Sequence, residues 1–138
     1  MKRSHEHYNH AKFKLKYHLI FSTKYRKRCL EGIIESVKQS FRRAESMQRK
    51  WSIEAMEIDR EKCDHIHILI KATPSCKIDK IIHKLKQVST YDIWKEHSQY
   101  MLKFYWSGKH YLWTRGYFCS SLGDISEETA KTYIENQG

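Results

Sequence analysis

No two of the four cysteines form a C-x-x-C pair, and Cys29, Cys63, Cys76 and Cys119 lie far apart. That spacing excludes a zinc-finger ligand set and gives no disulfide framework for a chain of 138 residues. Free thiols in a reducing compartment are the simpler account. No apolar run approaches the roughly 20 residues that a membrane-spanning helix requires. The polar start carries His5, His7 and His10 with no apolar segment of the signal-peptide kind behind it. A soluble, cytoplasmic protein without a membrane partner is expected. Acidic groups are also scarce, 16 Asp+Glu against 26 Lys+Arg, for a formal charge of +10. On one small domain such an excess points to a polyanionic partner, most often nucleic acid, more than to charge kept for solubility.

There is no internal repeat and no low-complexity stretch. With 40% hydrophobic and 30% charged residues the composition is that of an ordinary globular chain. Residues 1–138 are read as one domain, with 1–11 expected to fray. His5-Glu6-His7 has His-x-His spacing but no apolar flanks to fix the rings, so it is set aside as a metal site.

Periodicity supplies the elements. Phe13, Leu15, Tyr17, Leu19 and Phe21 alternate with Lys12, Lys14, Lys16 and His18, the pattern of a half-buried strand. Tyr25 then sits among Lys24, Arg26, Lys27 and Arg28, a mixture suited equally to a nucleic-acid backbone with a stacked base and to a solvated loop. Helical spacing of Ile33, Ile34, Val37, Phe41 and Ala44 predicts a helix from about Glu31 to Lys50. A second strand is expected from Trp51 to Asp59, with Trp51, Ile53, Ala55 and Glu57 on one face. The short turn after it predicts an antiparallel hairpin into a third strand that ends at Thr73-Pro74-Ser75. Ile78, Ile81, Ile82, Leu85 and Val88 predict a second helix from about Ile78 into the nineties. Aromatics then cluster around Gly108, as packing or as stacking platforms. A fourth strand is expected from Trp113 to Ser120, and a last helix opens at the N-cap Ser126. Strand, helix, strand, strand, helix, strand describes an α+β, ferredoxin-like (RRM-like) antiparallel sheet with helices on one face, plus a C-terminal helix over 124–138.

The stretch Cys63-Asp64-His65-Ile66-His67-Ile68-Leu69-Ile70-Lys71 reads as a buried strand. Alternation puts His65 and His67 on one face and Ile66 in the core. Two imidazoles side by side on a rigid strand can ligate a metal, although an isolated pair of this kind is more often merely satisfied or exposed. By donor type alone the pair suits Zn²⁺ better than Mg²⁺.

Over nearly all of 13–137 the chain resembles the single-tyrosine HUH transposases of small bacterial insertion sequences. The resemblance rests on Tyr17-His18-Leu19-Ile20-Phe21-Ser22-Thr23-Lys24-Tyr25-Arg26, Asp64-His65-Ile66-His67-Ile68-Leu69, Leu112-Trp113-Thr114-Arg115-Gly116-Tyr117-Phe118 and Tyr133-Ile134-Glu135-Asn136-Gln137. It implies a divalent ion, Mg²⁺ or Mn²⁺, held by His65, His67 and Gln137, and a nucleophile at Tyr133, one helical turn before Gln137. It implies cutting and rejoining of single-stranded DNA that carries hairpins, through a 5′-phosphotyrosine, without ATP. It also implies a homodimer in which the tyrosine helix of one subunit serves the histidines of the other, with Gly123 as the hinge. Lys24, Arg26, Arg28 and Arg115 are the basic residues expected to touch DNA. Competing expectations are a domesticated relative acting on chromosomal palindromic repeats, a non-catalytic single-strand nucleic-acid-binding module, and a metal-dependent hydrolase.

Overall fold

The computed structural model describes residues 13–122. Four strands and two long helices follow in the order β1 (Leu15–Ser22), α1 (Ile34–Ser46), β2 (Trp51–Ile58), β3 (His65–Ala72), α2 (Ile78–Met101) and β4 (Phe118–Leu122). The sheet order is β2-β3-β1-β4, and every neighbouring pair is antiparallel. This is the ferredoxin-like arrangement expected from the sequence.

Alternation decides which face of the sheet is dry. Leu19 and Phe21 of β1 and Ile66, Ile68 and Ile70 of β3 are fully buried in one core with Val37, Phe41 and Ala44 of α1 and Ile81 and Leu85 of α2. A one-residue slip of β3 would expose those three isoleucines, each worth about 1.5–3 kcal/mol of burial. It would also drive His65 and His67 into the core, so the register is fixed by transfer free energy. Among the described residues both helices lie on that core face, and the two histidines project from the opposite one.

Strand β2 departs from the expected face pattern. Ile53 pairs with Ile70 but Ala55 pairs with Leu69, so Glu54 is an extra residue in a β-bulge. The bulge reverses the alternation beyond it: Trp51 and Ile53 face the core before it, and Ile58, fully buried, faces it afterwards. Ala55 and Glu57 therefore share the histidine face, not that of Trp51, and Glu57 stands opposite His67. Around the bulge, α1 seals the sheet edge. Glu45 accepts the Ile53 N–H at 2.6 Å, and Arg42 donates to the Ile53 carbonyl at 3.0 Å.

Two other boundaries move. The first helix is preceded by a separate 3-10 turn, Cys29–Gly32, because Ile33 (φ −134°) breaks the helical path. Tyr100 fills the corner, donating its hydroxyl hydrogen to the Cys29 carbonyl at 2.7 Å and accepting the Gly32 N–H at 2.9 Å. The fourth strand starts at Phe118 instead of Trp113, which makes a single bridge to Thr23. Between them the Lys86 ammonium draws in the carbonyls of Thr114, Arg115 and Gly116 at 2.8, 3.2 and 2.9 Å. Those carbonyls serve a lysine instead of a strand. Among the described residues no helix is long and apolar enough to cross a membrane.

Candidate active site

The site grows from the middle of the sheet. In the β1–β3 register Ser22 faces His65 and Ile20 faces His67. The rings of His65 and His67 lie with centroids 5.2 Å apart. His67 is nearly buried, at 4% exposure. Isoleucines beneath both histidines keep the strand from shifting, which is what a ligand pair needs.

Each histidine has a neighbour that holds its ring. Nδ1 of His65 lies 2.8 Å from Oδ1 of Asp64, and the guanidinium Nε of Arg26 donates to Oδ2 of the same carboxylate at 2.9 Å. Burial acts to raise the Asp64 carboxyl, but the hydrogen bonds from Arg26 and His65 outweigh it and hold Asp64 below the usual carboxylate range. Ionised Asp64 only accepts, so His65 carries its proton on Nδ1 and presents Nε2. Nδ1 of His67 lies 3.0 Å from Nε2 of His18, and the two rings, nearly coplanar, have centroids 5.2 Å apart. Burial, and then the positive charge that His18 and His65 would carry, push His67 down to about 4. Burial also lowers His18. Neutral imidazoles are the form that binds metal.

Strained backbone surrounds this pair. Tyr25 (φ 59°), Arg26 (φ 53°) and Cys63 (φ 52°) all adopt left-handed conformations without being glycine. Each costs of order 1–3 kcal/mol and persists where surrounding contacts dictate it. Here Thr23 donates its backbone N–H to the Asp64 carbonyl at 2.9 Å, and Cys63 donates its own to Asp59 at 2.9 Å. The turns so fixed deliver Arg26 and Asp64 to each other.

Asp59, Asp64 and His65 also bring ligand atoms within 4.8 Å of one another. Both Asp64 oxygens are occupied by Arg26 and His65, and Oδ2 of Asp59 receives the Lys62 N–H at 2.6 Å. The donor chemistry therefore favours the histidine pair over this cluster as a candidate metal site, with Asp64 holding the His65 ring. Gln137 and Tyr133, the expected third ligand and nucleophile, lie outside the described residues, as does Gly123.

The expected DNA-contacting residues gather near the site. Lys24, Arg26 and Arg28 follow β1 directly, and Arg115 sits on the segment joined to that end of β1 by the Thr114 N–H donated to Ser22 at 2.8 Å. Lys24 lies over the rings of Tyr25 and Tyr111 at 5.2 and 5.1 Å, while Arg28 donates to the Glu61 carbonyl at 2.7 Å. The aromatic cluster divides: Tyr105 and Trp113 pack inside, whereas Trp106 is 72% exposed. Tyr25, Lys27, Tyr105, Trp106 and Tyr111 line a cavity of about 400 Å³.

His18 and Asp64 are neighbours of the histidine pair that residue types alone did not reveal. Alternation set His18 on the other face from Leu19 and Phe21, and the sheet puts β1 beside β3. Taken together those two facts place His18 on the face of the histidine pair.

The family model for IS200-like transposases matches residues 11–137. The chain belongs to the IS200-like transposase family. Within this family it is 29% identical over 125 residues to the ISDra2 transposase TnpA of Deinococcus radiodurans, covering 91% of this chain and 85% of that one. It is 29% identical over 134 residues to the transposase for insertion sequence element IS200 of Salmonella typhimurium, covering 93% and 80%. A solved Deinococcus radiodurans structure described as a transposase superposes with a TM-score of 0.68 at 27% identity, covering 91% and 92%. A REP-associated tyrosine transposase bound to a REP hairpin has a TM-score of 0.61 at 11% identity, covering 89% and 65%, and shares the fold. An IS200-like transposase is a DNA-binding recombination enzyme of the TnpA type.

Proposed function

We propose that this IS200-like transposase cuts and rejoins single-stranded DNA next to hairpins, using Tyr133 as nucleophile and a divalent ion held by His65, His67 and Gln137. The observation that carries the reading is the pair of adjacent histidines on β3, with the His65 ring fixed by ionised Asp64. A bound Mg²⁺ or Mn²⁺ would supply Lewis-acid polarisation of the scissile phosphate. The Tyr133 phenol, with an ordinary pKa near 10, must lose its proton as it attacks, and nearby positive charge would help it do so. The oxygen–phosphorus bond forms on Tyr133 as the bond to the 3′ oxygen breaks, leaving a 5′-phosphotyrosine and a free 3′-OH. A second 3′-OH can reverse the exchange and rejoin the strand without ATP.

Spacing in the sequence supports the role of Tyr133: it stands four residues before Gln137, which on the helix expected there would put the two on one face. Basic residues around the end of β1 support DNA binding there, with Arg26 tied to Asp64 and so adjacent to the reacting centre. Hairpin recognition is proposed by kinship with the transposases described above. A dimer is supported by β4, whose outer edge pairs with no strand among the described residues and which carries exposed Phe118.

The test is incubation with Mg²⁺ and single-stranded DNA carrying a flanking hairpin, followed by denaturing electrophoresis. A covalent protein–DNA adduct is expected, and Tyr133→Phe should abolish it while hairpin binding persists. An adduct that survives the substitution removes Tyr133 from the mechanism. Free 5′-phosphate ends without an adduct would indicate a hydrolase, and binding without cleavage a recognition module.

A further inference from the structure

The contact between His18 and His67 has a direction that the metal site depends on. Two nitrogens 3.0 Å apart share one proton: either His18 Nε2–H donates to His67 Nδ1, or His67 Nδ1–H donates to His18 Nε2. In the first case the His67 proton sits on Nε2, and that atom has no lone pair for a metal. In the second, Nε2 carries a lone pair that a metal could take.

We propose that His18 is a positioning residue for the transposase metal site: it accepts the Nδ1 proton of His67 and thereby holds His67 in the tautomer and orientation that ligate through Nε2. The inference rests on the proposed metal-binding role of the histidine pair. It makes the two ligands equivalent. His65 is fixed by the carboxylate of Asp64 from its own strand, and His67 by an imidazole from β1. Partners that accept the distal proton of a ligating histidine set its tautomer and raise its basicity, and their loss costs about 10–100-fold in metal affinity.

The surroundings of His18 suit this role. In the β1–β3 register it stands opposite Leu69, one position along the histidine face from Ile20, which faces His67. Leu69 is fully buried, giving the His18 ring an apolar floor. His18 and His67 lie edge to edge with their ring planes within 20° of each other, as an in-plane N–H···N hydrogen bond requires, and the edge of Phe118 from β4 meets His18 at 6.0 Å. Three strands of the sheet therefore fix a ring whose hydrogen-bonding partner on this face is a proposed ligand. A residue kept only for packing would not need a nitrogen at that point.

The test compares two variants with the wild-type chain. His18→Phe keeps an aromatic ring but removes the acceptor, while His18→Gln restores an amide oxygen within reach. Mn²⁺ titrations followed by electron paramagnetic resonance are expected to show a loss of about 10–100-fold in affinity for H18F and recovery to within a few-fold for H18Q. Long-range ¹H–¹⁵N spectra of the wild-type protein with Mg²⁺ should report His67 with its proton on Nδ1. This second readout does not depend on any variant folding. Equal Mn²⁺ affinity in H18F and wild type, or a His67 proton on Nε2, overturns the positioning role. Failure of the wild-type chain to bind Mn²⁺ instead overturns the metal reading, and this inference with it.

Discussion

Asp64 shows at the scale of one residue how the site couples strain, charge and orientation. Its carboxylate receives the Arg26 guanidinium and the His65 ring, and Arg26 reaches it from a left-handed backbone. Asp64→Ala removes the common acceptor of two donors. It should weaken Mn²⁺ binding by about 10–100-fold, measured by titration calorimetry, with circular dichroism reporting the fold separately. The residue was legible in the sequence only as the neighbour of His65. Its pairing with Arg26 spans 38 positions of chain and required two turns to be folded.

At the scale of elements, the corner between the 3-10 turn Cys29–Gly32 and the far end of α2 is closed by a single ring. A Cβ on Gly32 would lie 2.7 Å from Tyr100 ring atoms, closer than side-chain carbons pack. Gly32→Ala should therefore push Tyr100 away from the Cys29 carbonyl and lower stability by about 1–3 kcal/mol, read from denaturant unfolding. Helix and strand identities were readable because α1 and β1 carry clean periods of 3.6 and 2. The bulge at Glu54 was not, since β2 keeps apolar residues on both sides of it and only pairing with β3 shows where the extra residue lies. The late start of β4 was hidden for a similar reason, because Lys86 competes for carbonyls from a helix far away in sequence.

For the whole molecule, attachment of the two helices to each other affects how the protein meets acid. Asp92 of α2 accepts from Ser40 at 2.6 Å and from Arg43 at 2.6 and 2.9 Å, both on α1. Burial acts to raise the Asp92 carboxyl, yet the hydrogen bonds from Arg43 and Ser40 prevail and its pKa lies below the ordinary value. A carboxyl lowered on folding stabilises the native state above its unfolded pKa of about 3.9 and loses that contribution as pH falls through the folded value. Asp92→Asn should lower the thermal midpoint at pH 7, and the gap from wild type should narrow steadily below pH 4. A constant gap across that range would show that packing, not charge, is at stake.

By itself the sequence determined the fold class and the face on which His65 and His67 stand, because alternation and helical spacing are local properties set by burial; the family followed from the resemblance of its motifs. It also placed Tyr133 four positions before Gln137. Only the tertiary structure decided what holds the two histidines. His18 and His67 are 49 positions apart, and they meet because β1 and β3 pair in one register. The proton between them belongs to neither strand alone, and its position follows from a contact that exists only in the folded sheet.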